Sequence, residues 1–202
     1  MRVFVLGKDT SATAEWSANH PGTENFVSLV ENPKRRSLAA IANTLIDSME
    51  GLPDRVVGFL HADTYLAPGA FQAFKDCSLN GSVCGIVGRD PGKGNRWSKN
   101  LIDVPGLVWS LRPGPVSTLD ACSIFFRRDL GLRFDSETFD GLHCWVEDLC
   151  LQAQAKGIRV EVPFADADHR GDSTFQPAWQ AEYLMYRTRL GQKWAGTAFE
   201  TT

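Results

Sequence analysis

The chain has 202 residues, 43% of them hydrophobic and 22% charged, a composition that excludes a disordered or fibrous protein and suits one sizeable core. Its formal net charge of -3 argues against affinity resting on a general attraction to phosphate backbones, though it leaves room for a local basic groove. The opening apolar run is cut short at Lys8 and Asp9 and no later run is long enough for a bilayer, so neither a signal peptide nor stable membrane insertion is expected. The five cysteines at 77, 84, 122, 144 and 150 form no CxxC pair, which reads as reduced thiols in a cytoplasm-like compartment. No repeat or linker divides the chain, so one domain over residues 1–194 with a flexible tail at 195–202 is expected.

In chain order, residues 2–6 read as an opening β-strand and Gly7, Lys8, Asp9, Thr10 and Ser11 as the loop at its carboxyl end. Lys8 and Asp9 either meet a base or ribose there or are solvated loop residues. Residues 16–22 read as loop and 26–30 as a second strand. Ser37 then opens a helix as its N-cap. Leu38, Ile41, Ala42, Leu45, Ile46 and Met49 recur at helical spacing, and Gly51, Leu52 and Pro53 supply the stop. Asn43 within it is either aimed at a site or a surface amide.

Val56, Val57, Phe59 and Leu60 make a short run rich in β-branched and aromatic residues, a strand covered on both faces. It ends in His61, Ala62 and Asp63. Strand side chains alternate, so His61 and Asp63 share a face at a carboxyl end, where open α/β sheets bind ligands. Pro68 opens a short helix carrying Phe71 and Phe74, and residues 83–87 form another buried strand. The glycine-rich, basic stretch 88–97 reads as a loop that closes over an anionic substrate; it lacks the GxxxxGK[ST] pattern of a P-loop. Residues 107–111 read as a short strand and 112–115 as a turn.

Asp120 interrupts a strand-like run over 116–126. A buried carboxylate is costly unless paired, so Asp120 faces a site or a cation, or is satisfied by backbone amides. Arg127 and Arg128 end that strand. The second concentration of chemistry is FDGLHCWVEDLCLQAQAKG at 139–157. A helix starts near Cys144 and stops at Gly157, with Glu147 and Asp148 in a first turn whose dipole favours acids. His143 and Trp145 beside the pair suit a general base with an acceptor pocket. A strand at 158–162 leads to a polar loop at 166–173 carrying His169. A terminal helix over 179–194 packs through Tyr183, Tyr186, Leu190 and Trp194.

In this order the blocks resemble glycosyltransferases of the GT-A fold, in the family-two-like group of small bacterial and phage enzymes, over residues 3–169. The helix SLAAIANTLIDS precedes a strand ending in the position of the family's DxD metal motif, here His61, Ala62 and Asp63. Asp120 with Ala121 and Cys122 running to Arg127 and Arg128, the acidic pair Glu147 and Asp148 in xEDxxL, and His169 after the next strand complete the set. The resemblance implies an α/β fold: a single GT-A, Rossmann-like domain whose mixed, mostly parallel sheet is flanked by helices. It implies Asp63 and His169 as ligands of Mn²⁺ or Mg²⁺ on a donor diphosphate, with His61, which replaces an acid, contacting the diphosphate or supporting the ligands. Asp148 would be the base, Glu147 would orient an acceptor or a loop, and Asp120 would bind donor-sugar hydroxyls. Lys8, Asp9 and Asn43 join the donor side, and His143 and Trp145 the acceptor side.

The implied activity is a metal-dependent, inverting hexosyl or pentosyl transfer from a nucleotide-sugar, a UDP-sugar first, to a free hydroxyl. The acceptor is left open among a glycan, a metabolite, a protein and a modified DNA base. Lys93, Arg96, Lys99, Arg127 and Arg128 form a candidate track for DNA. Two other classes also stay open: a catalytically idle nucleotide-sugar or glycan-binding module, and a nucleotidyltransferase on a similar sheet. The expected setting is the cytoplasm of a bacterium or of a phage-infected host, with the oligomeric state undetermined.

Overall fold

A computed structural model of the chain describes residues 1–90, 94–97, 113–169 and 177–196; at 90, 94–97, 168 and 177–179 the description is of the backbone alone. The strand β1 (Arg2–Gly7) is followed by helix α1 (Thr10–Asn19), β2 (Val27–Glu31), α2 (Leu38–Asp47), β3 (Val56–His61) and β4 (Thr64–Leu66). Next come α3 (Ala70–Leu79), β5 (Val83–Cys84), β6 (Val87–Asp90), β7 (Gly94–Trp97), β8 (Gly114–Pro115), β9 (Thr118–Leu119) and β10 (Ser123–Arg127). After α4 (Trp145–Ala155) the chain ends in β11 (Val160–Val162), β12 (Ala167–His169) and α5 (Pro177–Lys193).

The main sheet runs β2-β1-β3-β10-β5-β11-β8 among the described residues. Strands β1, β2 and β3 are parallel, as are β5 and β11, whereas β10 is antiparallel to both of its neighbours and β8 to β11. This is the expected α/β architecture, one Rossmann-like domain with a mixed sheet between helical layers. Alternation along the strands divides the core in two. Phe4, Leu6, Val57, Phe59, Ile124 and Phe126 face the layer of α2, α4 and α5, while Val3, Val5, Leu60, Cys84 and Phe125 face α1 and α3 through Trp16, Phe71 and Phe74. Strands β3 and β10 are buried on both faces and so lack a polar side.

Several local expectations need correction. The region read as loop at 16–22 begins inside α1, a helix that buries only Thr13 and Trp16 and therefore carries almost no apolar periodicity. The stretch read as a closing loop at 88–97 contains a hairpin, with Val87 opposite Trp97 and Asp90 opposite Gly94. Residues 83–87 are two strands split at Gly85 and Ile86, and 116–126 is likewise split by the turn at Asp120. The strand expected at 107–111 and the tail beyond 196 lie outside the described residues. The five cysteines are free thiols, and no helix among the described residues is long and apolar enough to cross a membrane.

Candidate active site

Because β10 runs against the others, its amino end meets the carboxyl ends of β1 and β3. The Ala62 amide donates to Leu6 O at 3.0 Å, the His61 amide to Cys122 O at 2.9 Å and the Asn32 amide to Gly7 O at 2.8 Å. Gly7 permits this crowding, since a Cβ there would lie 2.6 Å from Thr13 Cγ2 at the start of α1. Asp63 follows in the turn into β4, and β4 pairs with β12 so that Thr64 lies opposite His169. Backbone topology alone therefore carries His169, more than a hundred positions away in sequence, to Asp63.

His169 Nε2 lies 3.5 Å from Asp63 Oδ1. One ligand-capable atom from each of His61, Asp63 and His169 falls within 4.8 Å of the others, a spacing compatible with a shared divalent cation. His61 Nε2 is shut off from solvent and has no hydrogen-bond partner among the described residues. Burial pushes the His61 ring down from its usual range, against the opposing pull of Asp63, so the imidazole is neutral and able to ligate. Burial pushes the Asp63 carboxyl up, but its bond to His169, with smaller charge and backbone contributions, outweighs burial and holds it below the usual value. Asp120, Cys122 and His169 form a second such group. Burial and then Asp120 push the Cys122 thiol well up, and a protonated thiol makes this the poorer donor set.

The acidic pair of α4 splits. Consecutive helical residues point about 100° apart, so Glu147 and Asp148 face different partners. Asp148 is fully buried and engaged: Lys193 Nζ lies 2.8 Å from Oδ1, Trp194 Nε1 donates to Oδ1 at 2.8 Å and Gln152 Nε2 to Oδ2 at 2.8 Å. The residue read as the base is thus engaged in holding the end of α5. Glu147 is 4% exposed and its Oε2 has no hydrogen-bond partner among the described residues. Burial, with smaller contributions from the Asp120 and Asp148 charges, pushes its carboxyl up from 4.5 to about 8 despite a backbone bond that pulls the other way. Asp120 also acts electrostatically on His61 and so connects Glu147 to the ligand cluster.

The remaining candidates divide the same way. His143 is half-buried with Nε2 unpartnered among the described residues; burial lowers its pKa, and Glu182, Arg35, His61 and Asp120 all act on it. Tyr183 lies edge-on to it at 5.8 Å. Trp145 is fully buried against Phe134 and Phe59, at centroid distances of 4.8 and 6.4 Å, which makes it core rather than pocket wall. Asn43 is no donor contact either: Nδ2 donates to Phe134 O at 2.8 Å and Oδ1 accepts from the Phe134 amide at 3.1 Å. Asp9 caps α1 by accepting from the Ala12 amide at 3.0 Å, whereas Lys8 is exposed beside the end of β1. The proposed basic track loses its described members. Arg127 pairs with Asp129 at 2.7 Å, and Arg128 donates to the carbonyls of Met49, Asp54 and Leu52 at 2.6 to 2.8 Å. Lys93, Lys99 and the Arg96 side chain lie outside the described residues.

No family model and no curated protein sequence matches the chain. Among solved structures, A197 from STIV is similar, with a TM-score of 0.53 and 16% identity over 85% of this chain and 87% of that one. The inositol-1-phosphate CTP transferase from T. maritima is similar with a TM-score of 0.41 and 11% identity over 98% of each chain. The first likeness bears on the fold alone, and the second is too slight to carry an argument.

A cavity of about 480 Å³ between α1 and α3, walled in part by His20, Phe26, Leu66, Phe71 and Lys75, includes none of the clustered residues. The ligand-capable cluster lies apart from it, at the carboxyl end of the central strand β3. The sequence marks Trp194 only as a packing residue and gives no sign that it and Lys193 engage Asp148. Only packing between distant helices reveals such partners.

Proposed function

We propose that the chain is a divalent-cation-dependent glycosyltransferase of GT-A type, moving a sugar from a nucleoside-diphosphate sugar to an acceptor hydroxyl with inversion. The observation that carries this reading is Glu147, a buried carboxyl with one oxygen unpartnered among the described residues, whose pKa burial and then Asp120 raise, Asp120 acting also on His61 of the cluster. A hydroxyl acceptor must lose its proton as it attacks, and a carboxylate with a pKa near 8 is a much stronger base than an ordinary glutamate. A phosphate nucleophile, as in nucleotidyl transfer, is already anionic and needs no such base. On this reading the acceptor oxygen bonds to the anomeric carbon as the bond to the diphosphate oxygen breaks, and the proton passes to Glu147. Asp120 binds donor-sugar hydroxyls and His143 lines the acceptor side.

His61, Asp63 and His169 would hold the cation, which when bound offsets charge on the departing diphosphate. Two imidazoles and one carboxylate suit Mn²⁺ better than Mg²⁺, which favours oxygen ligands. The test incubates the full chain with Mn²⁺, a panel of nucleotide-sugars and hydroxyl acceptors, and separately with nucleoside triphosphates and sugar phosphates. Sugar transfer with release of nucleoside diphosphate is expected. Pyrophosphate release without sugar transfer would assign the nucleotidyl reaction instead. Saturable donor binding without turnover across the panel would assign an idle binding module.

A further inference from the structure

We infer that Trp16 and His20, at the carboxyl-terminal end of α1, are positioning residues for the cation site, acting through β4. The inference rests on the cation reading given above. Asp63 immediately precedes β4, and His169 ends β12, its partner. These two strands form a separate ribbon of three residues each, outside the main sheet. So short a ribbon has little stability of its own. Something else must fix the 3.5 Å approach of His169 to Asp63.

The structure assigns that task to α1, because all three residues of β4 are fastened to it. Trp16 Nε1 donates to Thr64 O at 2.7 Å in a buried bond. Tyr65 OH donates to Glu15 Oε1 at 3.1 Å. The Leu66 amide donates to His20 Nε2 at 3.0 Å. His20 Nδ1 lies 2.7 Å from Trp16 O, so with Nε2 accepting, the ring proton resides on Nδ1 and donates to that carbonyl. The His20 ring stacks on Trp16 with centroids 3.9 Å apart and on Tyr65 at 5.4 Å. On the other side Thr64 Oγ1 donates to Cys122 O at 3.1 Å, the carbonyl that also receives the His61 amide at 2.9 Å. Helix α1, β4 and the strand end bearing His61 thus form one continuous hydrogen-bonded path, and all three ligand-capable residues hang from it.

Neither Trp16 nor His20 belongs to the ligand set, so their effect reaches the cation only through backbone placement. Supporting partners of this kind commonly change metal affinity by about 10- to 100-fold. The experiment titrates the full chain with Mn²⁺ alone, reading the free ion by electron paramagnetic resonance, and measures urea unfolding separately in EDTA. It compares the unsubstituted chain with Trp16→Phe, which keeps an aromatic ring but loses the donor, and with Ile46→Val, a small core truncation in the opposite layer. Expected are a roughly tenfold weaker Mn²⁺ affinity for Trp16→Phe and an unchanged affinity for Ile46→Val. Unchanged affinity in Trp16→Phe, or an equal loss in Ile46→Val, overturns the inference while leaving the cation site standing. Absence of Mn²⁺ binding by the unsubstituted chain overturns the cation reading itself, and the inference with it. Should Trp16→Phe fail to fold, His20→Gln and Tyr65→Phe carry the same comparison through the other two bonds.

Discussion

Replacing Glu147 with Gln tests the proposed base through stability and turnover together. The folded chain holds the Glu147 proton to about pH 8, whereas its ordinary value is 4.5. Between those limits the folded state binds one more proton than the unfolded state. Raising the pH therefore destabilises the protein by about 1.4 kcal/mol per unit, approaching 5 kcal/mol in all above pH 8. A glutamine removes this dependence. The depressed His61 and His143 rings have the opposite sign, losing stability as pH falls below their ordinary 6.5. They are neutral in both states above pH 7 and cancel in the comparison of the two proteins. Urea unfolding in EDTA at pH 6, 7 and 8 should show the variant gaining on the parent by about 1 kcal/mol per unit, less in the second step as Glu147 begins to ionise, while sugar transfer falls by roughly 10²- to 10⁴-fold. Parallel stability curves would refute the raised pKa. Undiminished transfer by the folded variant would refute the catalytic role.

Asp148→Asn should behave differently: it breaks a buried ion pair and should cost about 3 kcal/mol, the lower end of the range because Lys193 keeps Asp135 at 2.7 Å, measurable by thermal melting. A collapse of turnover with unchanged melting would restore Asp148 as the base. Asp63→Asn should abolish Mn²⁺ binding in a direct titration and leave unfolding in EDTA nearly unchanged, since the side chain is 44% exposed. Arg128→Ala should lower stability by roughly 2 kcal/mol in urea titration by unpairing three carbonyls that follow α2.

The parts of the fold legible in the sequence were those whose residues carry a period. Strand β3 is an uninterrupted apolar run, and α2 repeats Leu38, Ala42 and Ile46 on its buried side, so both declare themselves. Helix α1 did not, because Thr13 and Trp16, with His20 at its C-cap, are spaced three and four apart yet include two polar types. That spacing, after Asp9 as a cap, was the available signal. The hairpin of β6 and β7 hid behind glycines and arginines that also suit a loop. At the site, His61 and Asp63 were expected to share a strand face; they do come together, but through the turn after β3, and the family resemblance singled out His169. It gave Asp148 the base role and Glu147 an orienting one, but adjacency in sequence says nothing of which neighbour each side chain will meet. Lys193 and Trp194 decide that, and they arrive from a helix 45 and 46 positions away.

The reversed direction of β10 also bears on how the chain reaches its fold. Strands β1, β2 and β3 pair with one another using only the first 61 residues, but the other edge of β3 waits for residues 123–127. Until they arrive, a strand apolar on both faces presents open backbone groups, the kind of edge on which chains aggregate. Closing it requires a contact across more than sixty positions, as in Leu60 opposite Ser123, and loops of that length slow folding. The strand that covers the open edge of β3 thus also removes an aggregation-prone surface, so substitutions along β10 should affect soluble yield before they affect the finished protein.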